Sequence, residues 1–249
     1  MSGIIGVLDL QGGVAEHLEH LAALGLPARR VRQTADLAGL TGLIIPGGES
    51  TCLSRLLHRY GLDRAIEESL LTGLKLWGTC AGAILLAQEL VGEAASSLGF
   101  VDIRVQRNAF GSQLDSFNLT VEVPAVDPEP IPLTFIRAPK ILRLGTGVSP
   151  LLELDDYYAA AEDRDSLVTI FHPELTPSLA FHRYFAGKCG IPVPPREDAP
   201  ADWRADSWVG YAPIPCRPRH APGGAECLIH PRPAATDGRQ VRVIRSFFQ

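Results

Sequence analysis

The stretch that decides the fold is LKLWGTCAGAILLA, residues 74–87. A short apolar run ends at Gly78, and an Ala/Leu-rich run of high helix propensity follows Gly82. The stretch therefore predicts a strand, a sharp turn and a helix, with Cys80 at the turn. The glycines allow close backbone contact, as in turns that expose a nucleophile above a sheet edge. Most free cysteines are buried small apolar residues, and this stretch alone leaves that alternative open.

Strands and helices alternate on the N-terminal side of this stretch. Apolar runs predict strands at residues 4–10, 28–31 and 42–45, and helices at residues 14–24, near 53–60 and at 63–71. Such alternation predicts an α/β fold, a three-layer arrangement of a mostly parallel open sheet flanked by helices. Loops that follow parallel strands share one edge of the sheet, where ligands bind. We expect Gln11, the Gly47-Gly48 turn and Cys80 at that edge.

The C-terminal half changes character twice. Residues 100–136 hold short β-like runs, which we interpret as an antiparallel or mixed extension of the sheet. Strands at 157–161 and 167–171 and a helix at 178–186 complete a predicted domain of residues 1–190. Residues 191–249 contain ten of the twenty prolines and no lysine. This Pro/Arg-rich tail predicts a disordered or loosely packed extension, and a reading-frame artefact would give a similar composition.

Composition excludes several classes of function. The chain has 249 residues, a formal net charge of -5 and 20% charged residues, a balance that does not favour nucleic acid as a partner. The uncharged stretch at 76–88 is too short for a bilayer, which needs roughly 20 residues, and no signal peptide is expected. Five cysteines without a C-x-x-C pair favour neither disulfides nor zinc. We expect a soluble, cytoplasmic protein without a zinc site.

A thiol nucleophile needs a base, and His172 is the best candidate. It follows a strongly apolar strand at the same predicted edge as Cys80. Pro173 favours an extended His172, and residues two apart in an extended chain share one side. Glu174 would then lie beside the ring and orient it. A histidine that only makes a structural hydrogen bond is the alternative interpretation.

The other histidines of the first 190 residues fall in predicted helices. We expect His17, His20 and His58 to be solvated or boundary residues, and His182 to have a packing or capping role.

The Gly47-Gly48 turn is the candidate oxyanion hole. Two glycines after a strand allow backbone N–H groups to converge on one point, where they would stabilise a developing negative charge. The Ala81 N–H, directly after the nucleophile, would be a second donor. Most Gly-Gly pairs form turns that have no catalytic role. The position of this pair at the predicted edge of the sheet is what favours an oxyanion hole.

Several motifs together give a family resemblance. The sequence resembles class I (triad) glutamine amidotransferases, and in particular the glutaminase subunit of pyridoxal 5'-phosphate synthase, over about residues 3–188. The motifs that carry the resemblance are GVLDLQG at 6–12, PGGEST at 46–51, GTCAG at 78–82, RNAFG at 107–111, FIRAP at 135–139 and FHPELT at 171–176. The tail after Gly190 is expected to have no counterpart in the family.

The resemblance implies a role for each matching residue. Cys80 would be the nucleophile, His172 the base and Glu174 its orienter. The residues that would hold L-glutamine are Gly48, Glu49, Ser50, Arg107, Ile136 and Arg137. A guanidinium suits the carboxylate of a free amino acid. Gln11 would lie near the oxyanion site on the face that meets the synthase subunit.

The implied reaction is hydrolysis of L-glutamine to L-glutamate and ammonia, with the ammonia passed to the synthase subunit of a heteromeric complex. No cofactor is implied for this chain. Two alternatives are a glutaminase subunit of another biosynthetic pathway and a non-catalytic interaction subunit. The motif at 135–139 disfavours the first, and the intact triad disfavours the second.

Overall fold

The computed structural model describes residues 3–92, 98–107, 109, 116–193 and 241–242, the last two by their backbone alone. Five α-helices are found in these residues: α1 (Val14–Ala23), α2 (Ser50–Arg59), α3 (Leu62–Leu71), α4 (Ala81–Leu86) and α5 (Ala180–Lys188). Two short 3-10 helices lie at Thr34–Leu37 and Pro173–Leu175. No described helix has the length and apolar character needed to cross a bilayer.

The strands of the first half are β1 (Ile5–Leu8), β2 (Ala28–Val31), β3 (Gly42–Ile45), β4 (Lys75–Thr79), β5 (Ala87–Leu90) and β6 (Val101–Gln106). The remaining strands are β7 (Phe117–Val123), β8 (Asp127–Phe135), β9 (Lys140–Leu144), β10 (Ser149–Leu154), β11 (Tyr157–Glu162), β12 (Ser166–Thr169) and β13 (Val241–Arg242).

The main sheet has a parallel half and a largely antiparallel half. Its strands run in the order β2-β1-β3-β4-β12-β11-β9-β6-β5, with β10 on β11 and β13 on β10. The first five strands are mutually parallel, whereas β12, β11, β9 and β6 pair antiparallel. Every residue of β1, β3 and β12 is buried, as expected of parallel strands covered on both faces. The predicted α/β class with helices flanking the sheet is confirmed.

The strand order positions the candidate site. β1, β3, β4 and β12 are consecutive in the sheet, so the loops after them lie side by side at one edge. Those loops carry Gln11, the Gly47-Gly48 turn, Cys80 and His172. The nucleophile and its base therefore follow neighbouring strands, since Thr79 of β4 is in register with Thr169 of β12.

Three local predictions need correction. The helix after Cys80 ends at Leu86, and Ala87–Leu90, where the sequence predicts no strand, pairs with β6. Only the two end residues of this strand are buried, and strand pairing overrides the helix propensity of its residues. The β7–β8 hairpin forms its own two-stranded sheet instead of extending the main one. The helix predicted at 178–186 begins at Ala180 and runs to Lys188.

Most of the predicted tail, residues 194–240 and 243–249, lies outside the described residues, and so do Asn108, Phe110 and Gly111 of the motif at 107–111. β13 pairs antiparallel with β10, with Arg242 opposite Glu153.

Candidate active site

Cys80 lies on a strained turn between β4 and α4. Its backbone has φ 48° and ψ -102°, a conformation that non-glycine residues rarely adopt and that tends to occur at functional sites. The Cys80 N–H donates to the Thr169 carbonyl of β12 at 2.8 Å. Tertiary structure thus holds the thiol at the end of the sheet, with 7% of the residue exposed.

Gly78 and Gly82 are needed for the close packing of this turn. A Cβ on Gly78 would lie 2.5 Å from the carbonyl carbon of Gly82, and one on Gly82 would lie 2.0 Å from the Ile45 carbonyl oxygen. Neither distance is sterically possible, so backbone packs on backbone where β3, β4 and α4 meet. The predicted strand, turn and helix around Cys80 are confirmed.

His172 and Glu174 form a buried pair. The His172 Nδ1 lies 2.8 Å from Glu174 Oε1, and the side chains are 13% and 0% exposed. The His172 N–H donates to the Thr134 carbonyl of β8 at 2.8 Å, which fixes the backbone that carries the ring. With Nδ1 on the carboxylate, Nε2 is the ring nitrogen left to act on the Cys80 thiol.

The electrostatics of the pair favour an imidazolium beside a carboxylate. Burial opposes ionisation of Glu174, but the neighbouring His17 and His172 outweigh it and lower the pKa of Glu174 to about 2. Burial also opposes protonation of His172. The Glu174 charge and the hydrogen bonds with Cys80 and Glu174 exceed that effect, and the pKa of His172 lies well above its usual value.

The route by which Glu174 reaches His172 differs from the prediction. The sequence predicts an extended chain from His172 to Glu174, but Pro173–Leu175 is a turn of 3-10 helix. Proline is well suited to the first position of a helical turn because its missing N–H would have no partner there. The carboxylate then folds back toward the ring at the start of the turn. The expected contact is present, but the argument from extended geometry is wrong.

The Gly47-Gly48 turn lies against the Cys80–His172 pair. A Cβ on Gly47 would be 2.4 Å from His172 Cε1 and 3.3 Å from Cys80 Cβ. The Gly47 N–H does not enter the space in front of the thiol, because it donates to the buried Thr79 Oγ1 at 2.9 Å. Of the three proposed oxyanion donors, Gly47 is therefore engaged elsewhere in this conformation.

The other two proposed donors have different surroundings. A Cβ on Gly12 would lie 1.6 Å from the Gly47 carbonyl oxygen, so that carbonyl faces Gly12. Because C=O and N–H of a trans peptide point in opposite directions, the Gly48 N–H is directed away from Gly12. The Ala81 N–H belongs to the first turn of α4, where N–H groups have no intrahelical partner.

Gln11 and Glu49 connect the loop after β1, which contains Gly12 and Gly13, with the Gly47-Gly48 turn after β3. The Glu49 N–H donates to Gln11 Oε1 at 3.2 Å. The Glu49 carboxylate caps α2 by accepting from the N–H groups of Thr51 and Cys52 at 3.0 and 2.7 Å. Gln11, the predicted partner-facing residue, is thus in direct contact with the turn that holds the candidate oxyanion donors.

The predicted glutamine-binding residues come from three places. Arg107, after β6, lies near α2, with Nη2 3.3 Å from Thr51 Oγ1 and 3.9 Å from Glu49 Oε1. Ser50 is buried at the start of α2. Ile136 and Arg137 follow β8, and Arg137 has φ 45°, an uncommon value for a residue with a long side chain. β8 also bonds to His172, which brings this segment to the site.

Two of three buried histidines lie deeper than the sequence predicts. His17, His20 and His182 are each 0% exposed, whereas His17 and His20 are expected from the sequence at solvated or boundary positions. The sequence does contain a signal for burial of His17. This residue is three positions after Val14 and four before Leu21, on the apolar face of the helix. The His17 Nε2 lies 3.5 Å from Glu174 Oε2, so one of the three contacts the candidate triad.

Comparison with known proteins identifies the family of this chain. The model of the SNO glutamine amidotransferase family matches residues 7–190. A pyridoxal 5'-phosphate synthase subunit PdxT of Syntrophus aciditrophicus is 54% identical over 212 residues, covering 84% of this chain and 94% of the relative. That of Deinococcus radiodurans is 48% identical over 191 residues, covering 75% and 97%.

A solved structure described as a glutamine amidotransferase is also similar. It shares 43% sequence identity, superposes with a TM-score of 0.71, and is covered in full by 76% of this chain.

The first of these relatives corrects one expectation about the tail. An alignment that covers 84% of 249 residues spans about 209 residues and must extend well past Gly190. Part of the tail therefore has a counterpart in the Syntrophus relative, which disfavours a reading-frame artefact for that part.

Proposed function

This chain belongs to the SNO glutamine amidotransferase family, and we propose that it is the glutaminase subunit of a pyridoxal 5'-phosphate synthase. It hydrolyses L-glutamine to L-glutamate and ammonia, and the ammonia passes to a separate synthase subunit. The observation that carries the proposal is the buried His172–Glu174 pair at 2.8 Å beside a cysteine on a strained strand-to-helix turn.

The first half of the reaction forms a thioester. His172 Nε2 takes the proton of Cys80 Sγ, and the thiolate attacks the side-chain amide carbon of glutamine. The resulting oxyanion is stabilised by backbone N–H groups of the Gly47-Gly48 turn and of Ala81. His172 then protonates the leaving nitrogen, the C–N bond breaks, and ammonia departs. Glu174 accepts from Nδ1–H throughout and stabilises the imidazolium.

The second half releases glutamate. A water molecule gives a proton to His172 and attacks the thioester carbon, and the same N–H groups stabilise the second oxyanion. The C–S bond breaks, and the proton returns from His172 to the cysteine sulfur. No further reactant is needed. One proton of the water molecule restores the Cys80 thiol, and the remaining OH group completes the side-chain carboxyl group of glutamate.

Substrate recognition uses the free amino-acid ends of glutamine. Arg107 and Arg137 are suited to its α-carboxylate, and the Glu49 carboxylate to its α-ammonium group. The backbone of Gly48, Ser50 and Ile136 shapes the binding site. The cytoplasm, where thiols stay reduced, suits a thiol nucleophile.

Gln11 is the residue through which the synthase subunit acts. Its Oε1 accepts from the Glu49 N–H, and the neighbouring Gly47 N–H is held by Thr79. Docking at Gln11 shifts the turn so that its N–H groups face the substrate. One missing oxyanion donor costs about 10²–10³-fold in rate, so the free subunit is nearly idle.

The test is steady-state glutamine hydrolysis with the synthase subunit titrated in. We expect ammonia and glutamate in equal amounts, with turnover rising about 10²–10³-fold to saturation. An absence of glutamine hydrolysis at saturating synthase subunit would refute the proposed function. Full turnover by the free subunit would refute the activation step and leave the triad chemistry standing.

A further inference from the structure

A cluster of buried histidines lies directly behind the candidate triad. His17 and His20 on α1 and His182 on α5 are 0% exposed. The His20 and His182 rings are stacked with centroids 4.3 Å apart, and the His17 and His182 ring centroids are 5.0 Å apart. Trp77 covers the cluster, with its ring centroid 4.9 Å from that of His182. Burying three such polar rings is costly without a use for their nitrogen atoms.

The cluster contacts the catalytic carboxylate through one atom. The His17 Nε2 lies 3.5 Å from Glu174 Oε2, while the other carboxylate oxygen bonds to His172 at 2.8 Å. The carboxylate is thus contacted on both oxygens, by the catalytic imidazole on one side and by His17 on the other. Space is tight on the first side, because a Cβ on Gly13 would lie 2.9 Å from Oε1.

The proton arrangement of His17 follows from its neighbours. An ionised carboxylate only accepts hydrogen bonds, so Nε2 of His17 carries a proton in order to face it. Its Nδ1 lies 2.8 Å from Nε2 of His182, so one proton lies between these two nitrogen atoms. His182 thus holds the His17 ring from the side opposite Glu174, in the way that outer partners orient a metal-bound histidine.

We propose that His17, held by His182, is a positioning residue that keeps the Glu174 carboxylate aligned with the His172 ring. His17 acts through Glu174 and does not contact the substrate. The inference rests on the proposed function, because Glu174 must be the orienter of a catalytic His172. In the described part of the chain, no group of metal-ligating residues is arranged to hold a metal ion, so the cluster is assigned to hydrogen bonding.

The charged and titratable groups around His17 determine how loss of its ring should change the pH dependence of Cys80 modification. Glu174, with His172 beyond it, faces Nε2, and His182, with His20 stacked on it, faces Nδ1. The uncharged Thr79 Oγ1 is 3.5 Å from Nε2. Loss of His17 leaves Glu174 less firmly placed, which weakens its support of the His172 imidazolium. His172 then accepts the Cys80 proton less readily.

Two variants of His17 and one matched control test the proposal. His17→Leu removes both ring nitrogens, and His17→Gln returns an N–H donor at about the reach of Nε2. His20→Leu is the control, because His20 is equally buried on the same helix but bonds to the backbone carbonyls of Glu16 and Thr176 at 2.8 and 3.1 Å.

Two measurements are made with the full chain and the synthase subunit. For His17→Leu we expect kcat to fall about 10–100-fold, the usual range for loss of an outer hydrogen-bond partner, with KM unchanged. His17→Gln should recover most of kcat. The second measurement is the pH dependence of iodoacetamide modification at Cys80, followed by peptide mass. Its midpoint should move to higher pH in His17→Leu and stay at the wild-type value in His20→Leu.

The outcomes separate the inference from the proposed function. If His17→Leu only lowers the unfolding temperature, as His20→Leu does, with wild-type kcat and modification profile, the positioning role is overturned. If the wild-type protein does not hydrolyse glutamine, the proposed function fails, while the modification profile still tests whether His17 supports the Glu174–His172 pair. A shift of that profile in His17→Leu alone supports the inference in either case.

Discussion

The His172–Glu174 pair and the Gly47-Gly48 turn lie at the same sheet edge but are fixed to different degrees. The pair is joined by a 2.8 Å bond to a fully buried carboxylate, and its backbone is anchored to β8. The turn consists of two glycines, and one of its N–H groups is taken by a threonine hydroxyl. The single chain thus sets the proton-transfer groups firmly and leaves the groups that stabilise the oxyanion adjustable.

The largest effect is expected from Cys80→Ala, which removes the thiol whose proton the fixed His172–Glu174 pair accepts. We expect complete loss of glutamine hydrolysis with an unchanged fold, because the thiol is replaced by a hydrogen on the same Cβ. Ammonia release is measured with saturating synthase subunit. Cys189→Ala is the matched control, since burial raises the pKa of Cys189 to about 12 and makes it unreactive. Residual turnover in Cys80→Ala would remove the nucleophile assignment.

The Gly47-Gly48 turn, which is the adjustable region, is tested by Gly12→Ala. The new Cβ would meet the Gly47 carbonyl oxygen at 1.6 Å and force the turn away from its place beside His172. We expect turnover to fall by about 10²-fold or more, as for loss of an oxyanion donor. Gly25→Ala is the control, because Gly25 also has positive φ, but a methyl group added there would have nothing within 4 Å.

If Gly25→Ala and Gly12→Ala lose the same activity, the loss comes from backbone strain at positive φ. The contrast between the two regions would then lose its support.

The pH dependence of the unfolding free energy tests how strongly the folded protein stabilises the charged form of Glu174. The pKa of Glu174 falls from 4.5 to about 2 on folding, so its ionised form is the one that the folded state favours. Its contribution is present above about pH 4.5 and is lost as the pH falls toward 2. The loss is roughly 3 kcal/mol at 1.36 kcal/mol for each pKa unit.

Urea unfolding of the wild-type protein and of Glu174→Gln between pH 7 and pH 2 measures this contribution. The difference in unfolding free energy between the two proteins should shrink on acidification. Parallel curves would show that Glu174 is not held as an anion by its neighbours.

A smaller effect is expected from Thr79→Val, which keeps the shape of the side chain and removes the acceptor of the Gly47 N–H. The resting turn loses one hydrogen bond, worth about 0.5–1.5 kcal/mol, so turnover without the synthase subunit should rise by roughly 2–10-fold. Thr79→Ser keeps the hydroxyl and should behave as the wild-type protein does. Unchanged or lower turnover in Thr79→Val would show that this bond does not restrain the turn.

The smallest effect is predicted for removal of the tail. A chain ending at residue 193 should fold and keep glutaminase activity within about twofold, because the sheet and helices that carry the site are complete by Lys188. Among the described residues beyond 193, the pairing with the domain is that of β13 with β10. Loss of soluble expression in the truncated chain, with normal expression of the full chain, would show that the tail packs on the domain.

The parts of the site that follow from local chain chemistry can be predicted from the sequence. Gly78 and Gly82 are needed wherever a strand turns sharply into a helix, so the position of Cys80 is readable. The apolar runs of β3, β4 and β12 mark strands buried on both faces, and their ends define the edge of the sheet. His172 can be assigned because it follows one of these strands directly.

The parts that depend on tertiary packing cannot be predicted in this way. Ala87–Leu90 carries residues of high helix propensity but pairs with β6, because strand pairing and burial outweigh a preference of a few tenths of a kcal/mol per residue. The engagement of the Gly47 N–H by Thr79 depends on a backbone group and a hydroxyl group 32 residues apart. Histidine is usually found at the boundary, which favours a surface position for His17, although its helical spacing indicates the buried face.

The pairing of β4 with β12 has a consequence for the newly made chain. These strands are about 90 residues apart in sequence, with Thr79 opposite Thr169, and closing so long a loop is slow compared with forming a local helix. Until β12 docks, Cys80 has no catalytic imidazole beside it. During synthesis the Cys80–His172 pair is therefore assembled only after almost the whole domain has left the ribosome.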